Sequence, residues 1–168
     1  MKRMMILLVG IVAVGLAGLV VGLAQPGGTM GGGMMGPGMT GGHGSMPRHF
    51  DYMHGGLPDA YRGKTSPLGS TVPVLMKGRL LYGRNCSSCH GPTGRGDGPA
   101  AAGLNPQPAN LAWTMGMPVS RDDFLYWTIS EGGAKYGSAM PAFKSTLKPD
   151  EIWSIIAALR SGDLRVAK

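Results

Sequence analysis

Apolar positions along the chain fall into blocks of different period. After Lys2 and Arg3, Met4 to Ala24 runs for 21 residues without a charge. As a helix this block would be about 30 Å long, enough to cross a bilayer. Gly22-Leu23-Ala24 before Gln25 also reads as a small-residue cleavage site. A cleaved secretory signal is therefore the alternative to an uncleaved anchor. The run exceeds the roughly 7–15 residues of a signal core, which favours the anchor. Either reading exports the remainder of the chain, because the positive end stays in the cytoplasm. Gln25 to Thr71 has 14 glycines in 47 residues and neither a helical nor an alternating period. It reads as a disordered tether with too little apolar surface to offset its ordering entropy. As a Gly-rich coil it would span roughly 40 Å.

From Val72 the period becomes helical. Val74, Gly78, Leu81 and Tyr82 share one helix face that leads into Cys86. Ser120-Arg121-Asp122-Asp123 resembles a capping box, opening a helix through Phe124, Leu125, Trp127 and Ile129 that stops at Gly132-Gly133. Pro149, Asp150 and Glu151 suit a helix N-terminus. Ile152, Ile155, Ile156 and Leu159 then recur at helical spacing until Gly162. No segment reads as a strand. The expectation is an all-α fold in three parts: an N-terminal transmembrane helix or signal anchor at 1–24, a Gly/Met-rich flexible tether at 25–71, and a small helical domain at 72–168. Three short helices make a thin core, and a domain of this size often needs a staple, metal or cofactor.

Charge narrows the partners. The formal net charge is +7, with five basic and two acidic residues in 1–71 and eleven against seven in 72–168. No basic run is interleaved with aromatics, so nucleic-acid binding finds no support. A mildly basic domain suits docking on acidic protein surfaces or anionic lipid. The tether carries Met30, Met34, Met35, Met39, Met46 and Met53 with His43, His49 and His54. Thioether and imidazole suit Cu(I). Copper capture is the functional reading, and biased low-complexity sequence in a spacer is the plainer one.

Asn85-Cys86-Ser87-Ser88-Cys89-His90-Gly91 holds both cysteines of the chain. A disulfide between them would close a loop too small to organise distant helices. A redox dithiol usually belongs to a βαβ pattern, which is absent. Zinc would be short of its four ligands. Cys-x-x-Cys-His is the attachment signature of c-type haem: two thiols at this spacing reach two vinyl groups, and the histidine next to them lies beneath the iron. The porphyrin would also fill the thin core. For the sixth position, the segment after His90 offers Met115, Met117 and Met140 and no further histidine. Met140 lies between two expected helices beside Pro141, whose fixed φ stiffens the chain there. Met115 and Met117 read as pocket filling beside Trp113.

Residues 72–162 resemble a class I c-type cytochrome domain, monohaem and His/Met-ligated, here in a membrane-anchored form. The resemblance rests on Gly78-x-x-x-Tyr82, Cys86-Ser87-Ser88-Cys89-His90-Gly91, the stretch through Gly98-Pro99, Met140-Pro141 with Phe143, and a last helix with Trp153. It implies one covalent haem on Cys86 and Cys89, with His90 and Met140 on the iron. It implies a close crossing of first and last helices, mapped to Gly78 and Trp153. It also implies that a proline carbonyl, at Pro99, accepts the His90 Nδ1–H. Ala157-Ala158 stands where a tyrosine is frequent in the family. The function implied is electron transfer, not enzymatic turnover, on the extracytoplasmic side of the membrane or in the periplasm after cleavage. Partners would be redox proteins with acidic docking surfaces, such as an oxidase, a quinol oxidoreductase or another cytochrome. Lys77, Arg79, Arg84 and Arg95 flank the haem motif as a candidate basic ring. The alternatives are a fixed subunit of a larger oxidoreductase, or copper handling by the tether.

Overall fold

A computed structural model describes residues 46–165, the side chain of Met46 excepted. The expected anchor at 1–24 lies outside the described residues, as do Met30, Met34, Met35, Met39 and His43. Among the described residues no helix is long and apolar enough to cross a membrane. All regular structure among the described residues is helical: α1 (Met46–Gly55), α2 (Val72–Asn85), α3 (Ser87–His90), α4 (Leu111–Thr114), α5 (Asp122–Glu131) and α6 (Pro149–Arg160), with a 3-10 turn at Ala134–Tyr136. The all-helical expectation agrees with this.

α2 and α6 form the main crossing. α6 is buried from Ile152 to Leu159 without a break, so it runs through the core rather than along its surface. Its start is fixed by Pro149 in the first turn and by Glu151, whose carboxylate accepts the Lys148 backbone N–H at 2.9 Å. Gly78 permits the crossing. A Cβ there would land on the Ser154 carbonyl oxygen and 2.9 Å from Ala158 Cβ. Trp153, the aromatic expected against Gly78, stacks on Tyr126 of α5 at 4.5 Å between ring centres. The contact at Gly78 is thus backbone on backbone, and the small Ala158 lets the two helices close.

The expected boundary at Val72 is displaced. Residues 46–71, assigned to the tether, carry α1 and a loop packed on the core. Leu57 is buried in the core cluster, and Tyr52, Tyr61 and Leu68 pack against it. Tyr52 meets Phe124 at 4.9 Å, and Tyr61 donates to the Glu131 carboxylate. The expected capping box at 120–123 is also replaced. Ser120 Oγ bonds the Met115 and Met117 carbonyls. Asp123 instead takes the Gly63 backbone N–H at 3.2 Å, and Asp122 takes that of Ser66 at 2.9 Å. Both carboxylates sit at the positive end of α5 and use their remaining acceptor sites to pin the preceding chain. A soluble head begun at Val72 will therefore unfold more readily than one begun at Met46. The loss should be at least the ~1.5–3 kcal/mol of one buried leucine, read as a lower midpoint in urea.

Candidate functional site

The Cys-x-x-Cys-His motif sits at the junction of α2 and α3. Cys86 closes α2, its N–H bonding the Tyr82 carbonyl. Its own carbonyl accepts from Cys89 at 3.2 Å and His90 at 2.9 Å. The next loop folds back over this turn: Ala100, Gly98 and Gly96 donate to the carbonyls of Ser88, Cys89 and His90 at 2.8, 3.1 and 2.9 Å. Two glycines make that possible. Gly91 has φ +76°, and a Cβ on Gly98 would meet the Ser88 backbone. Tyr82 Oη reaches across from α2 to the Gly91 carbonyl at 2.7 Å.

His90 Nδ1 lies 2.9 Å from the Ala109 carbonyl oxygen. A carbonyl only accepts, so Nδ1 carries the proton and Nε2 presents its lone pair. The acceptor expected at Pro99 is therefore Ala109. Pro99 is exposed in the 96–100 loop that covers α3, while the chain ten residues on is drawn in by Leu111 N–H to the Gly94 carbonyl at 2.6 Å. Burial pulls the His90 ring below its ordinary pKa, against the opposing pull of the Ala109 bond, so the ring is neutral at neutral pH. Cys86 and Cys89 form no disulfide. Burial first, and Cys89 second, push the Cys86 thiol up to about 12. That is the reverse of a reactive redox dithiol, whose thiol is lowered. Among the described residues no group of three or more His, Cys, Asp or Glu is placed to hold a metal ion.

Met140 arrives from the other end of the domain. Its carbonyl accepts the Gly133 N–H at 2.8 Å, and its own N–H bonds Ser138 Oγ at 3.3 Å. The segment lies on a ledge of two glycines. A Cβ on Gly132 (φ +66°) would meet the Pro141 backbone, and one on Gly133 would come 2.6 Å from Ser138 Cβ. Gly132-Gly133 thus ends α5 and also seats the methionine loop. Phe143, buried, ties that loop to α5 through its N–H to the Ile129 carbonyl at 3.1 Å.

These parts meet in one cavity. Cys86, Cys89, His90 and Met140 line it together with Leu104, Leu111, Met115, Phe124, Leu125 and Ile155, among others. Water centres have about 150 Å³ of room there, where a single water needs about 10–15 Å³ by that measure. The donor set of two thiols, one imidazole nitrogen and one thioether, on an apolar lining, fits a covalently attached, axially ligated porphyrin. Met115 shares the lining, and Met117 does not. Trp113, expected beside the pocket methionines, is 63% exposed. Several lining residues carry no mark in the sequence, Ala109, Thr128 and, from α1, Arg48 among them.

The candidate basic ring is only partly available. Lys77 pairs with Asp150 at 2.7 Å and Arg79 with Asp163 at 3.4 Å, so both are committed to the region of α6. Arg84 and Arg95 are exposed. Of the proposed copper donors, His49, Met53 and His54 lie together on or near one face of α1, where His54 stacks on Phe50 at 4.0 Å between ring centres.

No curated protein matches the chain. A solved structure, the Kuenenia stuttgartiensis reducing HAO-like protein complex Kustc0457/Kustc0458, aligns at 27% identity and a TM-score of 0.47. The alignment covers 58% of this chain and 47% of that one, so the chain spans about half the length of its structural neighbour. Residues 73–157, half of the chain, match the family described as cytochrome c oxidase, cbb3-type, subunit III, and the chain belongs to that family of c-type cytochrome domains.

Proposed function

We propose that the chain is a one-electron carrier holding a single haem, joined to Cys86 and Cys89 and ligated by His90 and Met140. The observation that carries this is the meeting of those four side chains, drawn from both ends of the domain, on one apolar cavity. Cys86 and Cys89 would hold the haem as thioethers, each S–H added across one vinyl group, so attachment would need no oxidant. The bound group supplies reversible oxidation and reduction of iron. The protein's part is to hold His90 in one tautomer through Ala109, to seat Met140 on its glycine ledge, and to keep water from the cavity. With His90 and Met140 both given to the iron, no place would be left on it for a substrate, which favours a carrier over an enzyme. Residues 1–24 would hold the domain at the outer face of the membrane. Arg84 and Arg95 would steer it to acidic redox partners in small, transient contacts. The description of the family favours a second reading, a fixed subunit of a terminal oxidase. Co-purification of the chain with an oxidase from detergent-solubilised membranes separates that reading from a mobile carrier.

The test uses the full chain expressed with a haem-attachment system. A reduced-minus-oxidised c-type spectrum is expected, with haem mass retained after denaturation. The double variant Cys86→Ser, Cys89→Ser should be colourless. A colourless wild-type chain would overturn the proposal.

A further inference from the structure

We infer that Arg48 holds a propionate carboxylate of the haem, so that a residue from outside the family-matched span completes the cofactor site. The inference rests on the proposed haem reading and extends it. Arg48 belongs to α1, ahead of the matched span 73–157. Its exposure is 5%, and it lines the same cavity as His90 and Met140.

The Arg48 guanidinium donates through Nη2 to the Gly132 carbonyl. The central carbon lies 4.8 Å from the Trp127 ring centre and 4.6 Å from that of Tyr136. Nη1 is buried with no partner among the described residues. The two carboxylates near enough to act on it are Asp51 on α1 and Glu131 on α5, and both are committed. Asp51 binds Lys135 Nζ at 2.7 Å and Tyr136 Oη at 2.9 Å. Glu131 binds Lys144 Nζ at 2.8 and 3.0 Å and also the Tyr61 hydroxyl. Burial pulls the Arg48 guanidinium below its ordinary pKa, with Tyr136, Glu131 and Asp51 pulling the other way.

A buried cation without its own counter-ion is among the costlier arrangements in a fold. Ring faces and one carbonyl relieve it only in part. A second donor on the cavity wall shares its condition: Thr128 Oγ1 is buried and without a partner among the described residues, and Thr128 lines the cavity too. Two orphaned donors on one cavity call for an acceptor brought by whatever fills it. The planar fork of arginine matches a carboxylate, and haem c carries two. The vinyl groups are consumed by the cysteines, which leaves the propionates as its anionic handles.

The test is the reduction potential of the haem-loaded full chain as a function of pH, for wild type, Arg48→Gln and Arg48→Lys. A guanidinium beside the propionate keeps it ionised to low pH. Without that cation the propionate takes up its proton nearer neutrality. Ionisation places negative charge by the iron and favours the oxidised form, so the potential falls as pH rises through that step. Arg48→Gln should therefore meet the wild-type curve at acid pH, fall away through a step displaced toward neutrality, and lie below it at alkaline pH. Arg48→Lys should follow wild type closely. Redox-difference infrared spectra should show a protonated carboxyl band in Arg48→Gln at a pH where wild type has none. A Gln variant that carries haem with its methionine–iron band intact, and whose curve coincides with wild type or runs parallel to it at every pH, overturns the inference while leaving the haem reading standing. A colourless wild type sinks that reading first. If Arg48→Gln fails to fold, Thr128→Val decides: the same step should move toward neutrality by a smaller amount, and a profile identical to wild type counts against the propionate contact.

Discussion

Replacing Met140 with alanine will abolish the methionine–iron charge-transfer band and lower the reduction potential by a sizeable part of the ~0.8 V range over which axial ligands tune haem. A thioether favours the reduced iron, and its removal opens a coordination position. The reduced variant should therefore bind carbon monoxide, which wild type should resist. The competing ligand is Met115, since it shares the cavity lining. Its place argues against it. Met115 comes directly after α4, and the chain just before α4 supplies the Ala109 carbonyl to His90. Met115 thus belongs to the wall that already serves the histidine. Met140 comes from a different wall, seated on Gly132-Gly133. Met115→Ala should keep the band. If Met115→Ala loses it and Met140→Ala keeps it, the ligand assignment is wrong.

The second large effect is on stability and turns on Gly78. In an exposed helix interior, glycine to alanine gains about 1 kcal/mol. At Gly78 the added Cβ would meet the Ser154 carbonyl oxygen and Ala158 Cβ, and the obstacle is backbone rather than a movable side-chain tip. α2 and α6 must then separate. Overpacking of this kind costs about 1–3 kcal/mol, which outweighs the propensity gain. Gly78→Ala should lower the denaturation midpoint of the haem-loaded protein, and Gly78→Val should lower it further. Gly83, exposed in the same helix, provides the opposite sign: Gly83→Ala should be neutral or mildly stabilising. Equal effects at the two glycines would show that the crossing is not under this constraint.

The features legible in the sequence are those written in side chains. Helical period placed α2, α5 and α6, and Cys86, Cys89, His90 and Met140 do line one cavity. What sequence reasoning missed falls into two kinds. The first is an averaging error. Ten of the 14 glycines between Gln25 and Thr71 precede residue 46, while Phe50, Tyr52, Leu57, Tyr61 and Leu68 all come after it. Taken as one block, the stretch looks like a spacer. Split at Met46, its second half has enough apolar side chains to dock, and Asp122 and Asp123 supply the acceptors that fix it. Arg48 was lost with that block. The second kind is backbone chemistry. The carbonyl at His90 belongs to Ala109, and no side chain marks which peptide oxygen will turn toward a ring nineteen residues earlier. The resemblance implies a proline oxygen, but the path of the chain before α4 turns the Ala109 oxygen to the ring. The resemblance likewise puts Trp153 at the crossing, whereas the groups nearest Gly78 are the Ser154 backbone and the small Ala158.

The main-chain origin of the Ala109 contact has a consequence for how such a domain can vary. A peptide oxygen persists through every substitution that leaves the local path of the chain intact. The basicity of the His90 ring is thereby shielded from most single-residue changes. Inherited adjustment of a haem held there would then come mainly from groups that a codon can add or delete, such as the buried Arg48 cation on the cavity wall.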